Sequence, residues 1–178
     1  MTSGPYGTDL RLTRAVVEIE QHVAGAGWDQ PPRLYALVET ADLVTQEPAL
    51  AEQLGVRPDS AAGLTSIEQD ELPDYASLEE LLAGIAWPPE VLGTALVLER
   101  LMLPPGVEGE LPADDAEALD WVAAHPERQE VRIAVAVLRD GSRDCALRMR
   151  AHDRDEAVLS GPDLVPGLAD ALAATLVD

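Results

Sequence analysis

Lysine and phenylalanine are both absent from this sequence, and only one of its 178 residues is a cysteine. Without lysine, the protein cannot have a phosphate-binding loop built around that residue or form a lysine Schiff base with a substrate. A single cysteine cannot form a disulfide within the chain. Without phenylalanine, the predicted core is closely packed Ala, Val and Leu, with Trp28, Trp87 and Trp121 as its large members.

Long apolar runs are missing as well. No stretch approaches the roughly 18 consecutive apolar residues that a membrane-spanning helix needs. Residues 1–12, MTSGPYGTDLRL, contain no apolar segment of the kind found in secretory signals. Together with the lone cysteine, these absences predict a cytoplasmic protein that does not bind membranes.

Acidic side chains are abundant in this chain. Asp and Glu number 33 against 12 basic residues, all Arg, which gives a formal net charge of -21. Such a charge repels phosphate backbones, so we expect binding neither to nucleic acid nor to anionic membranes. It favours solubility and attraction to basic partners.

The pattern of apolar and turn residues predicts one α+β domain over residues 9–178, preceded by a flexible N-terminus over residues 1–8. The predicted element order is α-β-α-α-β-α-β-β-α. Residues 33–44 and 91–103 are apolar on both faces, which is typical of interior strands. We therefore expect a single four-stranded, largely antiparallel sheet with helices packed on one face, and leave open whether they extend over the other.

Capping residues predict one short turn and the starts of two helices. A capping residue followed three positions later by Glu occurs at Thr65–Glu68, interpreted as a short capped turn, and at Ser77–Glu80 and Asp114–Glu117, where helices are expected to begin. Other helices are expected at about residues 9–25, at residues 47–55 and after Gly161-Pro162, where Asp163 suits the start of a helix.

A hairpin is predicted over residues 131–150, VRIAVAVLRDGSRDCALRMR. A two-residue Asp-Gly turn would mix apolar and charged side chains on both faces. A three-residue loop, Arg139–Gly141 with Gly141 in the left-handed region, instead separates the faces cleanly, and we choose it. It places Val135 opposite Cys145 on the core face and Arg132 opposite Arg148 on the other.

The far face of this hairpin provides the candidate partner or anion site, formed by Arg132, Arg148, Arg150 and His152. One interpretation is that these arginines are solvated and partly paired with the many acids. The alternative is a site for an anion, because two like charges directly opposite are unfavourable unless something negative lies between them. That negative group can also be an acidic side chain of the same protein.

Catalytic and metal-binding motifs are not found in the sequence. Cys145 is interpreted as a small core residue, His22 as a helix-interface residue and His125 as a residue at a helix C-terminus. The acidic clusters EQDELPD and ADDAE lack EF-hand spacing and are interpreted as solvated. We therefore predict no catalytic residue, no cofactor and no metal, and a protein that is more plausibly not an enzyme.

Four segments resemble a family of small uncharacterised proteins from actinobacteria. They are AVVEIEQHVAGAGWDQPPRLYALV, IAWPPEV, AAHPERQEVRIAVAVLRDGSRDCALRMRAHD and GPDLVPGLADAL. The resemblance covers much of the chain and implies a bacterial, cytoplasmic protein. The family has no established activity, so the resemblance implies no catalytic or binding residue.

Two functional hypotheses follow. The first is an acidic protein-binding adaptor or chaperone-like protein, with a protein partner or a second copy in a homodimer. The alternative is a small-molecule anion-binding protein, or an enzyme, that uses the arginine-rich hairpin face and His152.

Overall fold

A computed structural model describes residues 9–56, 63–69, 77–103, 110, 112–162 and 164–176. The predicted flexible segment, residues 1–8, lies outside them. Within the described residues, no helix is long and apolar enough to cross a membrane.

One antiparallel sheet organises the fold. Its strands are β1 (Arg33–Glu39), β2 (Leu64–Glu68), β3 (Gly93–Met102), β4 (Gln129–Leu138), β5 (Arg143–Met149) and β6 (Leu159–Ser160). Their spatial order is β2-β1-β3-β4-β5-β6, and every neighbouring pair is antiparallel. The α+β class and the single antiparallel sheet are confirmed, whereas the predicted strand number of four is wrong.

The two additional strands lie at the edges of the sheet. The Thr65–Glu68 spacing predicted a short capped turn, but this segment pairs with β1 as β2, with Glu68 opposite Tyr35. Pairing with a distant strand has here overridden a weak local capping signal. Strand β6 has only two residues, pairing with Ala146 and Leu147 of β5, and so is too short to show an alternating pattern.

Among the described residues, six α-helices accompany the sheet: α1 (Leu10–Ala24), α2 (Thr40–Gln46), α3 (Pro48–Gln53), α4 (Leu78–Ala83), α5 (Asp115–Ala124) and α6 (Pro166–Ala174). The predicted caps are confirmed at Ser77, which accepts the Glu80 amide, and at Asp114, which accepts the Ala116 and Glu117 amides. The predicted strand 33–44 was too long, because the chain turns into α2 at the buried Thr40. The Thr40 hydroxyl lies 2.8 Å from the Thr65 hydroxyl of β2.

Helices cover both faces of the sheet, which decides the alternative that the sequence left open. Helix α1 packs on a face rich in alanine, including Ala95 and Ala134, whereas α4 and α6 pack on the face with Leu96 and Ile133. Small side chains let α1 approach the strands closely, and successive residues of a strand alternate between the two cores.

The tryptophans do not form the centre of either core. Trp28, Trp87 and Trp121 are all partly exposed. Trp87 lies at the rim of one core, where its indole N–H donates to the Thr175 hydroxyl at 3.0 Å. Partial exposure is typical of a large ring that also carries a polar group.

Candidate functional site

The hairpin has the predicted three-residue loop and register. Leu138 donates its amide to the Ser142 carbonyl at 2.8 Å, and Gly141 has a φ of 96°. Val135 lies opposite Cys145, and Arg132 lies opposite Arg148. A residue with a side chain would be strained at the backbone angle of Gly141, so this glycine fixes the loop and thereby the register.

Cys145 belongs to the core beneath α6 and is almost fully buried. Burial, with the nearby Asp144 charge, raises the pKa of its thiol to about 12. Because the thiolate is the reactive form, this cysteine is unsuited to nucleophilic catalysis, in line with its interpretation as a small apolar residue.

Arg132, Arg148 and Arg150, here called the arginine ladder, lie on the α1 side of the hairpin. The expectation that they are solvated is wrong for Arg132, which is 0% exposed, and for Arg148, which is also buried. Helix α1 and the loop that follows it cover these two side chains. Buried charges of this kind require partners within the protein.

Arg148 is surrounded by three carboxylates. Its guanidinium donates twice to Glu20 on α1, to Asp153 at 3.0 Å and to Asp155 at 2.5 Å. These hydrogen bonds, of which that to Glu20 matters most, raise the pKa of Arg148 above its usual value. The negative group expected between the paired arginines is therefore supplied by the protein itself.

Arg132 is held by the loop after α1. Its guanidinium carbon lies 4.4 Å from the centre of the Trp28 ring, and its Nη2 donates to the Gly27 carbonyl and to Glu99 at 3.2 Å. Glu99 also accepts the amides of Asp29 and Gln30 at 2.9 and 3.0 Å. One carboxylate thus fixes both the loop and the arginine, and the indole face adds a cation–π contact.

Arg150 closes the ladder at the surface. It forms two hydrogen bonds with Asp29, at 3.0 and 3.2 Å, and one with Glu130 at 3.0 Å. His152 follows in an exposed turn, and within the described residues its side chain forms no hydrogen bond or ion pair. The structure therefore brings the three arginines together but leaves His152 outside their network.

Asp153 connects Arg148 with Trp28, the ring that packs against Arg132. Its carboxylate accepts the Trp28 indole N–H at 3.0 Å and a hydrogen bond from Arg148. The indole hydrogen bond, followed by the contacts with Arg148, holds the pKa of Asp153 below its usual value. This carboxylate therefore remains ionised to lower pH than a free aspartate does.

Glu20 is the important residue that sequence reasoning missed. It is buried on the inner face of α1, with Val16 one turn before it and Val23 about one turn after it. Its position within an apolar stripe at helical spacing was the available signal, because a charged residue on such a face needs a buried partner.

The remaining candidates are distributed over the surface. His22 is exposed, so its interpretation as a helix-interface residue is wrong, and His125 caps the C-terminus of α5 with its ring 5.0 Å from that of Trp121. Most of the EQDELPD cluster lies outside the described residues. Among all the residues that the structure describes, no three His, Cys, Asp or Glu side chains are grouped to hold a metal ion.

Small anions are expected not to stabilise the protein. Six carboxylates contact the three guanidinium groups of the ladder, so the region has an excess of negative charge. Differential scanning fluorimetry with phosphate and with acetate should show no saturable rise in Tm beyond that given by chloride at equal ionic strength. A saturable rise that is lost in Arg150→Gln would instead support the predicted anion site.

Helix α5 presents a second surface, acidic with an exposed apolar centre. None of its described side chains is buried, and Leu119 is 73% exposed. Asp115, one turn before it, is exposed, and so are Glu117 and Asp120 elsewhere on the same helix. Leu101 and Met102, at the end of strand β3 against which α5 lies, are also exposed. We call α5 with these two residues the α5 surface.

A family model described as "PPA1309-like protein" matches residues 12–177 of the chain. No curated protein and no solved structure matches it. The match confirms the resemblance to an uncharacterised family, while the actinobacterial origin stays a prediction.

Proposed function

The chain belongs to the PPA1309-like protein family, and on this premise we propose that it is a non-enzymatic binding protein for a positively charged segment of another protein. The arginines of the ladder are paired with carboxylates of the same chain, and the single cysteine, Cys145, is buried. The observation that carries the proposal is the α5 surface, where an exposed leucine lies on a helix with several exposed carboxylates.

Burial of the apolar part of this surface favours binding of a partner. Leu119 shares a helical face with Asp115 and Ala116, since residues three and four apart lie side by side. Burying a leucine side chain contributes about 1.5–3 kcal/mol. Leu119 is 73% exposed among the described residues, so it gains such energy only through contact with a partner.

The charge of the surface selects the partner. The protein carries a net charge of -21, and Asp115, Glu117 and Asp120 place part of it on the same helix as Leu119. An acidic field attracts basic segments and repels acidic ones, including a second copy of the same surface. The occupant we infer is therefore an arginine- or lysine-rich segment that also carries an apolar side chain.

Labelled synthetic peptides test this assignment by fluorescence anisotropy. A peptide that alternates Arg and Leu is expected to bind, with affinity falling between 50 and 300 mM NaCl, whereas an Arg/Ser peptide and a Glu/Leu peptide are not. Leu119→Ser should weaken binding at least tenfold, because it removes the apolar anchor. Leu54→Ser, at an exposed leucine after α3, is the matched control and should bind as the wild type does.

Two results would overturn the proposal. One is equal binding of the Arg/Leu and Arg/Ser peptides, which would show attraction by charge alone. The other is unchanged binding by Leu119→Ser. Light scattering tests the predicted homodimer. If the wild type is a dimer and Leu119→Ser is a monomer, the occupant of the α5 surface is a second copy of the chain.

The partner or anion site predicted at Arg132, Arg148, Arg150 and His152 stays a separate prediction. Arg150→Gln in the same peptide assay distinguishes it from the α5 surface. A loss of binding in Arg150→Gln, with Leu119→Ser unaffected, would place the partner on the hairpin.

A further inference from the structure

We infer that a cavity between α1 and β5 binds a small organic cation, an ammonium group on a short aliphatic body. The cavity has a volume of about 210 Å³ and lies beside the arginine ladder. Its polar lining includes Glu20, Asp144, Asp155 and Thr13, and its apolar lining includes Val16 and Val158. It shares no residue with the α5 surface.

Negative charge in this cavity is incompletely balanced. Arg148 is the one ion-pair partner shown for both Glu20 and Asp155 among the described residues, and it also pairs with Asp153. Asp144 is only 6% exposed, yet within the described part of the chain its carboxylate takes part in no ion pair. Its one hydrogen bond there comes from the amide of the next residue, Cys145, at 2.8 Å. A buried carboxylate with so little compensation favours a cation next to it.

A second polar group in the cavity is the Thr13 hydroxyl. Its oxygen is buried and forms no hydrogen bond with any residue that the structure describes. Buried polar atoms are nearly always hydrogen-bonded, so an unpaired one that lines a cavity points to a group that enters it. An ammonium ion has N–H groups that can donate hydrogen bonds to both the Asp144 carboxylate and the Thr13 hydroxyl oxygen.

The shape and lining favour an organic cation over a metal ion. Among the described residues, no three carboxylate, thiol or imidazole groups are arranged to hold a metal. The volume is larger than one water molecule needs. Val16 and Val158 offer apolar surface to an aliphatic chain, which a hydrated metal ion would not use.

Butylammonium is the test ligand, with butan-1-ol as its uncharged analogue, butyrate as its anionic analogue and sodium chloride as the ionic-strength control. At tenfold above its Kd, butylammonium should raise the Tm of the full chain by roughly 3–5 °C. Butan-1-ol and butyrate should not raise the Tm. In NMR spectra, the Cys145 amide should shift with the same saturation curve, since it donates to Asp144.

Two variants make the assignment specific. Asp144→Asn should weaken butylammonium binding at least tenfold, whereas Asp120→Asn, which makes the same charge change on α5, should not. Val158→Phe fills the space while leaving every carboxylate in place, and should also abolish binding. Equal effects of butylammonium and butan-1-ol, or wild-type binding by Asp144→Asn, would overturn the inference.

Discussion

Arg148→Met is expected to lower the free energy of unfolding by about 3–5 kcal/mol, the typical effect of removing one partner from a buried ion pair. Glu20 lies against Arg148 with both side chains almost fully buried. Removal of the guanidinium leaves the Glu20 charge without compensation, and leaves Asp153 and Asp155 close to it. Urea unfolding followed by circular dichroism gives the measurement.

The double variant Glu20→Leu/Arg148→Met is the control for this interpretation. Replacing both members of a buried pair by apolar residues is often neutral, so the double variant should be more stable than Arg148→Met alone. Arg150→Met, which removes a ladder arginine at the surface, should change stability little. A double variant no more stable than the single one would show that the loss comes from packing and not from unpaired charge.

The pH dependence of the wild-type free energy of unfolding has a definite sign. In the wild type, the pKa of Asp153 is lowered by its hydrogen bonds from Trp28 and Arg148. A lowered pKa contributes stability above the pKa of the unfolded chain, and this contribution is lost as the pH falls through the folded value.

Gly93→Ala should destabilise the centre of the sheet by about 3 kcal/mol, at the upper end of the usual cost of overpacking. A Cβ atom at Gly93 would lie 2.3 Å from the Val137 carbonyl oxygen and 2.5 Å from Leu138 Cδ2. Relief requires movement of the β4 backbone, to which Gly93 of β3 is directly paired. The midpoint of urea unfolding should therefore fall markedly.

Gly167→Ala is the matched control for Gly93→Ala. A Cβ atom at Gly167 in α6 would have no neighbour within 4 Å. Alanine favours the helix over glycine by up to about 1 kcal/mol, so this variant should be as stable as the wild type or slightly more so. Similar losses in the two variants would contradict the packing explanation.

Local structure was the part most accessible from the sequence. The helix starts at Ser77 and Asp114 were predictable because a capping side chain binds amides two or three residues away. The hairpin register was predictable because an alternation of two residues per repeat allows one clean separation of faces. Edge strands β2 and β6 escaped prediction, since one matched a capping pattern and the other has two residues.

By itself, the sequence determined the class of fold, the hairpin register and the low reactivity of a single cysteine on an apolar strand face. Only the tertiary structure decided what the arginines do. Glu20 is separated from Arg148 by 128 positions, yet the packing of α1 on the alanine-rich face brings them into contact. The cavity and the α5 surface likewise depend on which elements meet. Charge pairing and burial depend on which residues lie close together in space, and a local sequence pattern does not specify those distances.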